Sequence, residues 1–214
     1  MKRSKSRQAL IRFVALLLLS GGAISCKGGI IGQTIGADGG SDNTSPPPPE
    51  ALRGTVGIKN FLQLRASMSA VTHVPISDPD VADYFQRNKT HFSADGTVGT
   101  ISGPMMLAHS GLAGIFCSKL VDSESSAPAS SRKFFSAVDF TQDPTAFTEV
   151  NRRDAIQRTF QNILTRVPEE SELTILLRAM NEASAGRDLT AELTSALCLV
   201  TCTAVLASIE FSAS

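Results

Sequence analysis

The sequence predicts an all-α fold: an irregular bundle of about six helices over residues 52–214, preceded by a signal helix and a disordered stalk. Apolar residues in that stretch recur at i, i+3 and i+4, the period that gathers them on one face of a helix. Helix-opening signals precede the runs at Asp78-Pro79, Thr148 and Pro168-Glu169-Glu170. Neither an internal repeat nor an alternating run long enough for a sheet occurs. Roughly 160 residues suffice for one domain that buries about 70% of its unfolded surface.

Residues 1–25 read as a secretory signal. Lys2, Arg3, Lys5, Arg7 and Arg12 form a basic start without an acidic residue. The apolar run Phe13 to Leu19 follows, shorter than the roughly 20 residues a membrane span needs. Small residues (Gly21, Gly22, Ala23, Ser25) complete the pattern of a cleaved leader. Ala23-Ile24-Ser25-Cys26 resembles the bacterial lipobox, with Ala23 where leucine is usual. That resemblance implies a lipidated Cys26 as the mature N-terminus. One acyl chain such as palmitate binds a membrane marginally and two hold it stably, so a multiply acylated Cys26 is a stable anchor.

Residues 26–51 carry almost nothing that builds a core. Gly28, Gly29, Gly32, Gly36, Gly39 and Gly40 lead into Ser41-Asp42-Asn43-Thr44-Ser45 and then Pro46 to Pro49. Gly-rich chain is flexible and a proline run is a semi-rigid spacer, so this is a tether. A phosphate-cradling glycine loop would need a strand before it, a helix after it and a Lys with Ser or Thr.

The first helix is expected over Gly57 to Thr72, with Ile58, Phe61, Leu62, Arg65, Met68 and Val71 on one stripe, and Val74-Pro75 stops it. Asp78 caps a second, short helix through Val81, Ala82, Tyr84 and Phe85. His91 to Gly99 reads as a loop, with Asp95-Gly96 as its turn signal. The next helix begins near Ser102 and Pro104, ends near Val121, and buries Met105, Ala108, Leu112, Ile115, Phe116 and Leu120. Gly111 and Gly114 inside it lower its helix propensity and permit close approach of a neighbour.

Ser123 to Ser131 reads as a loop, and Phe134, Phe135, Val138 and Phe140 mark one helical turn or a brief extended piece. Thr148 then caps a helix that buries Ile156, Phe160, Ile163 and Leu164, with Asp154 and Arg158 as an i, i+4 pair. Leu173, Leu176, Leu177 and Met180 face inward on the following helix, which Gly186 ends. The last helix is expected from Thr190 to about Ile209, burying Leu193, Leu197, Val200, Ala204 and Val205. It is apolar around most of its circumference, as a central bundle helix should be. Thr194, Thr201, Thr203 and Ser208 argue against a membrane span there.

Loss of residues 1–25 removes five of 20 basic residues and no acidic one, leaving 15 against 20 and a net charge of −5. That balance argues against nucleic acid, which recruits Lys and Arg clusters. The absence of Trp and the single Tyr84 leave no platform for stacking bases.

With Cys26 acylated, Cys117, Cys198 and Cys202 remain, and an odd count in an exported chain leaves at least one thiol over. Cys198 and Cys202 lie one helical turn apart, where a bridge would be distorted. A bridge from Cys117 to either of the two fits better.

Thr55-Val56-Gly57-Ile58-Lys59-Asn60-Phe61, Met68-Ser69-Ala70-Val71-Thr72, Leu107-Ala108-His109-Ser110, Phe116-Cys117-Ser118-Lys119-Leu120-Val121-Asp122 and Cys202-Thr203-Ala204-Val205-Leu206-Ala207-Ser208 together resemble an uncharacterised helical domain of proteobacterial envelope lipoproteins. Arg132, Phe134-Phe135 and Val138-Asp139-Phe140 belong to the same pattern, and the domain sometimes accompanies laminin-G-like modules. The resemblance implies a Cys117–Cys202 pair and supplies no catalytic residue. Ile163-Leu164-Thr165-Arg166-Val167-Pro168 with Ala207-Ser208-Ile209-Glu210-Phe211 is similar to a small helical domain of secreted bacterial surface proteins.

His73, His91 and His109 are scattered, and neither His-Glu-x-x-His nor Cys-x-x-Cys occurs. A zinc set of His109, Cys117, Cys198 and Cys202 can be drawn, yet exported thiols oxidise more readily than they take metal. Ser110 lacks a nucleophile elbow. Asp78, Asp80 and Asp83 lack the Gly and terminal Glu of a calcium loop, and Glu169, Glu170 and Glu172 read as a solvated helix start. The expected protein is therefore non-enzymatic, without cofactor or metal: an envelope lipoprotein bound to the membrane through Cys26, and to another envelope protein through its helical domain. By the resemblance to bacterial lipoproteins, Lys27, where an Asp is associated with inner-membrane retention in enteric bacteria, implies the outer membrane rather than the inner. Two other readings make different demands. A binder of an apolar ligand or lipid needs an elongated cavity lined by Met105, Met106 and phenylalanines. An enzyme needs a deep polar pocket, expected near His109.

Overall fold

The computed structural model describes residues 59–91 and 102–213. By its internal contacts the chain divides into Met1–Val56 and Gly57–Ser214, and every described residue belongs to the second unit. The expected signal segment and tether, Cys26, Ile58 and the expected Asp95-Gly96 turn lie outside the described residues.

Among the described residues there are seven α-helices and no strand. They are α1 (Phe61–Thr72), α2 (Pro79–Asn88), α3 (Gly103–Ser126), α4 (Glu149–Leu164), α5 (Glu170–Ser184), α6 (Ala191–Leu206) and α7 (Ile209–Ala213). Short 3₁₀ turns follow α2 at Lys89–His91 and α3 at Ala129–Ser131. The bundle is built on α3 and α6. Helices α1 and α2 pack on α3, whereas α4 and α5 pack on α6 and on each other.

Local chemistry sets most helix starts. Asn60 accepts from the Gln63 amide while the Gln63 side chain accepts from the Asn60 amide, a reciprocal cap that starts α1 at Phe61 rather than Gly57. Asp78 caps α2, with Pro79 as its first residue. Ser102 caps α3, Thr148 caps α4 and Thr190 caps α6, each accepting a backbone N–H of the first turn. At α5 the Glu172 carboxylate accepts from the Glu169 amide at 2.7 Å.

Several expected faces shift. On α1 the buried residues are Phe61, Leu64, Met68 and Thr72, and Leu62 is exposed. The Phe61 ring stacks on Phe85 of α2 with centroids 4.9 Å apart, and that contact fixes the helix rotation. Helix α3 continues past Val121 to Ser126 because Glu124 turns inward. Helix α6 stops at Leu206 and a break at Ala207-Ser208 separates it from α7, so the expected single helix to Ile209 is two. Ala204 is exposed and Val200 half-buried, while Thr201, Cys202 and Thr203 take the inner face. Phe134, Phe135, Val138 and Phe140 are buried in an irregular segment of turns.

The two glycines of α3 behave differently. A Cβ at Gly111 would lie 1.9 Å from the Tyr84 Oη, so its bare backbone admits the α2 side chain. Gly114 faces open space and has no such role.

By length and composition α3 is the one helix among the described residues able to cross a membrane, but half of its apolar window is buried within the bundle. Residues from Met105 to Glu124 on its inner face are packed into the core.

Candidate functional site

The chemistry-bearing side chains gather along the seam between α3 and α6. Cys117 and Cys202 are joined by a disulfide, with Cα atoms 5.7 Å apart. From Cys117 back to His109, α3 travels beside Cys202 forward to Leu206 and Ala207, so the two helices run antiparallel. Among the described residues the pair leaves Cys198 as the free thiol, fully buried one turn before Cys202. With two of its four members oxidised, the His109/Cys117/Cys198/Cys202 zinc set cannot form. Burial, and then the nearby Glu124 carboxylate, push the Cys198 thiol well above its usual pKa, while Arg132 pulls weakly the other way. A thiol held protonated is a poor nucleophile, which disfavours exchange with the disulfide.

Beyond the disulfide, toward the C-terminus of α3, Glu124 is buried with its carboxylate facing the following segment. It accepts three successive backbone N–H groups: Lys133 at 2.8 Å, Phe134 at 3.0 Å and Phe135 at 2.9 Å. Arg132 closes the same segment from outside. Its Nε donates to the Ala127 carbonyl at 2.9 Å and its Nη1 to the Val138 carbonyl at 2.6 Å, with the guanidinium 5.0 Å from the Phe140 ring centre. One buried carboxylate and one arginine thus fold residues 127–140 onto the seam, placing Phe134 and Phe135 in the core.

His109 lies at the other end. It is about nine-tenths buried, whereas His73 and His91 are exposed. The Nδ1 of His109 is 3.4 Å from the Ser212 Oγ, and Nε2 is buried without a hydrogen-bond partner. Burial lowers the imidazole pKa to about 4, opposed by the Leu206 carbonyl beside it. A pocket of about 30 Å³ opens here, lined by Leu64, Met105, Met106, His109, Ser110, Ala207, Ile209 and Ser212. Such a volume holds a water or a small ion, not an elongated apolar ligand. Lys59 closes this end of the bundle: its amide donates to the Ser212 carbonyl and its Nζ to the Phe211 carbonyl, both at 2.8 Å.

The neutral imidazole predicts a pH dependence. Its pKa is about 4 in the fold against about 6.5 in an unfolded chain. Between those values the unfolded state binds the extra proton, so stability falls as pH drops through the window. The loss should reach about 3 kcal/mol by pH 4. Urea unfolding at about pH 7 and about pH 4.5 checks it: His109→Gln should lose about 2–3 kcal/mol less than the native chain. Equal losses would show that the ring does not titrate this way.

The acidic clusters resolve into surface ion pairs. Lys119 bridges Asp78 at 3.1 Å and Asp80 at 2.6 Å, and Arg87 pairs with Asp83. Arg166 reaches Glu172 at 2.7 Å and Glu210 at 2.5 Å, tying the start of α5 to α7. Arg153 joins Glu149 to Glu170. Asp154 and Arg158 form the expected i, i+4 pair at 2.8 Å. Among the described residues no three His, Cys, Asp or Glu side chains converge on a metal position.

No protein-family model, curated protein or solved structure matches this chain significantly.

Proposed function

We propose that this protein is a non-enzymatic lipoprotein of the bacterial cell envelope, anchored by acyl chains on Cys26 and displaying a helical domain on a flexible stalk. The observation that carries the reading is the leader of residues 1–25, with its basic start, short apolar run and small-residue junction directly before a cysteine. The Cys117–Cys202 bridge supports export, because such bonds persist outside the reducing cytosol. Lys27 after the anchor favours the outer membrane over the inner.

The helical domain serves as a protein-interaction or structural module for another envelope protein. Its side chains support this over the two alternatives. The pocket beside His109, where an enzyme or an apolar-ligand binder would place its site, has room for little more than a water. Exposed Val150, Val167, Ile175 and Ile209 offer apolar contacts to a partner. Metabolic labelling with an alkyne-tagged fatty acid tests the anchor. The native chain should carry label and sediment with membranes, and Cys26→Ala should lose both. Label retained by Cys26→Ala, or none on either chain, would contradict the reading.

A further inference from the structure

The pocket beside His109 has a donor set that none of the preceding functions uses. Met105, Met106 and His109 stand at i, i+1 and i+4 on α3, so His109 neighbours both methionines across one turn. Helical side chains lean toward the helix N-terminus, which tips the imidazole back over the turn that carries the two thioethers. All three line the same small pocket, as does Ser212, whose hydroxyl lies 3.4 Å from His109 Nδ1. His109 Nε2 is buried without a partner, and an orphaned buried polar atom calls for a bound water or ion.

The donor chemistry selects the ligand class. Two thioethers are soft donors and an imidazole is a borderline one, and no carboxylate lines the pocket. Such a set disfavours magnesium and calcium, which take oxygen ligands, and suits a soft monovalent ion. The volume of about 30 Å³ accommodates a bare ion without displacing the core. Met106 is half-exposed, so it stands at the mouth, where a thioether can swing to admit or release a cation.

We propose that Met105, Met106 and His109 form a binding site for a soft monovalent cation, Cu(I) or Ag(I), at the end of the bundle closed by α7. The site does not depend on the lipid anchor, so the two proposals fail separately.

The test uses the full chain extracted in detergent, titrated without oxygen with Cu(I) against a chromogenic Cu(I) chelator. Ag(I) is run in parallel by thermal shift, since it needs no reductant. One equivalent should bind and raise the unfolding temperature. Met106→Leu conserves volume at an exposed position and should leave the unliganded fold unchanged. Loss of an outer-shell partner alone weakens metal sites 10–100-fold, so Met106→Leu and His109→Gln should each weaken binding at least about tenfold. Cys198→Ala should leave affinity unchanged. The proposal is overturned if neither cation binds, which would leave a structural water as the pocket's occupant. It is overturned equally if either Met106→Leu or His109→Gln binds as tightly as the native chain, or if Cys198→Ala abolishes binding.

Discussion

Replacing Cys117 and Cys202 together with alanine should cost about 4–5 kcal/mol of stability, the largest effect expected of any change in the helical domain. The bridge closes a loop of 85 residues, and the chain-entropy relation assigns a loop of that length about 4.6 kcal/mol. The loop contains α4, α5 and most of α6, so the bond restrains the unfolded chain across half of the domain. In a domain of this size that corresponds to a drop in melting temperature of roughly 10–15 °C. Thermal unfolding of the double variant, compared with the native chain before and after reduction under denaturing conditions, measures it. Native and double-variant chains melting at the same temperature would show that the bridge contributes nothing. Cys198→Ala, which leaves the bridge intact, should lose no more than about 1 kcal/mol for its small buried volume change.

Glu124→Ala carries the second large expectation, a loss of about 3–5 kcal/mol. It strands the amides of Lys133, Phe134 and Phe135, all now bonded to one carboxylate. Each unsatisfied buried donor costs about 1–3 kcal/mol, partly relieved where water enters. Glu124→Gln retains one carbonyl acceptor but turns an NH₂ toward a donor, so it should fall between the native chain and alanine. The segment should loosen before the bundle does. Hydrogen exchange at residues 133–135 should therefore accelerate in Glu124→Gln even where global stability is largely kept. Exchange unchanged at those three amides would remove the carboxylate from its assigned role.

Much of the fold was legible because its signals are local. Asp78-Pro79, Thr148 and Thr190 mark helix starts by chemistry contained within four residues, and the structure uses all three. The inner faces of α4 and α5 follow the apolar period directly, with Ile156, Phe160, Ile163, Leu173, Leu177 and Met180 all buried. Faces were misread where tertiary contact chose between two similar stripes. Leu62 and Leu64 are equally apolar, and tertiary packing, including the stacking of Phe61 on Phe85, turns Leu64 inward.

The end of α1 at Thr72 falls where Val74-Pro75 predicts it, whereas nothing in the sequence marks the end of α4 at Leu164. His73 and Thr165 take left-handed backbone, at φ 58° and 57°, where glycine or asparagine would have signalled a stop. Glu124 was the least legible of all. A glutamate between serines reads as solvent-facing, and the amides that justify its burial lie nine to eleven residues further on. The burial of His109 was legible: it lies four residues after Met105 and three before Leu112, on the stripe that the period already assigns to the core. The bridging partner of Cys117 was open on spacing alone, because Cys198 and Cys202 share a helix one turn apart. The antiparallel α3–α6 seam brings Cys202 opposite it.

One internal disulfide locks the helical domain, and we propose that the N-terminus is exported and lipid-held. Intact mass of the native protein, extracted from membranes and alkylated under denaturing conditions with and without prior reduction, tests both halves at once. The predicted result is a chain starting at Cys26 and heavier by its acyl groups. It should take one alkyl group at Cys198 before reduction, and three after. A chain without acyl mass would contradict the anchor, and three alkyl groups before reduction would contradict the bridge.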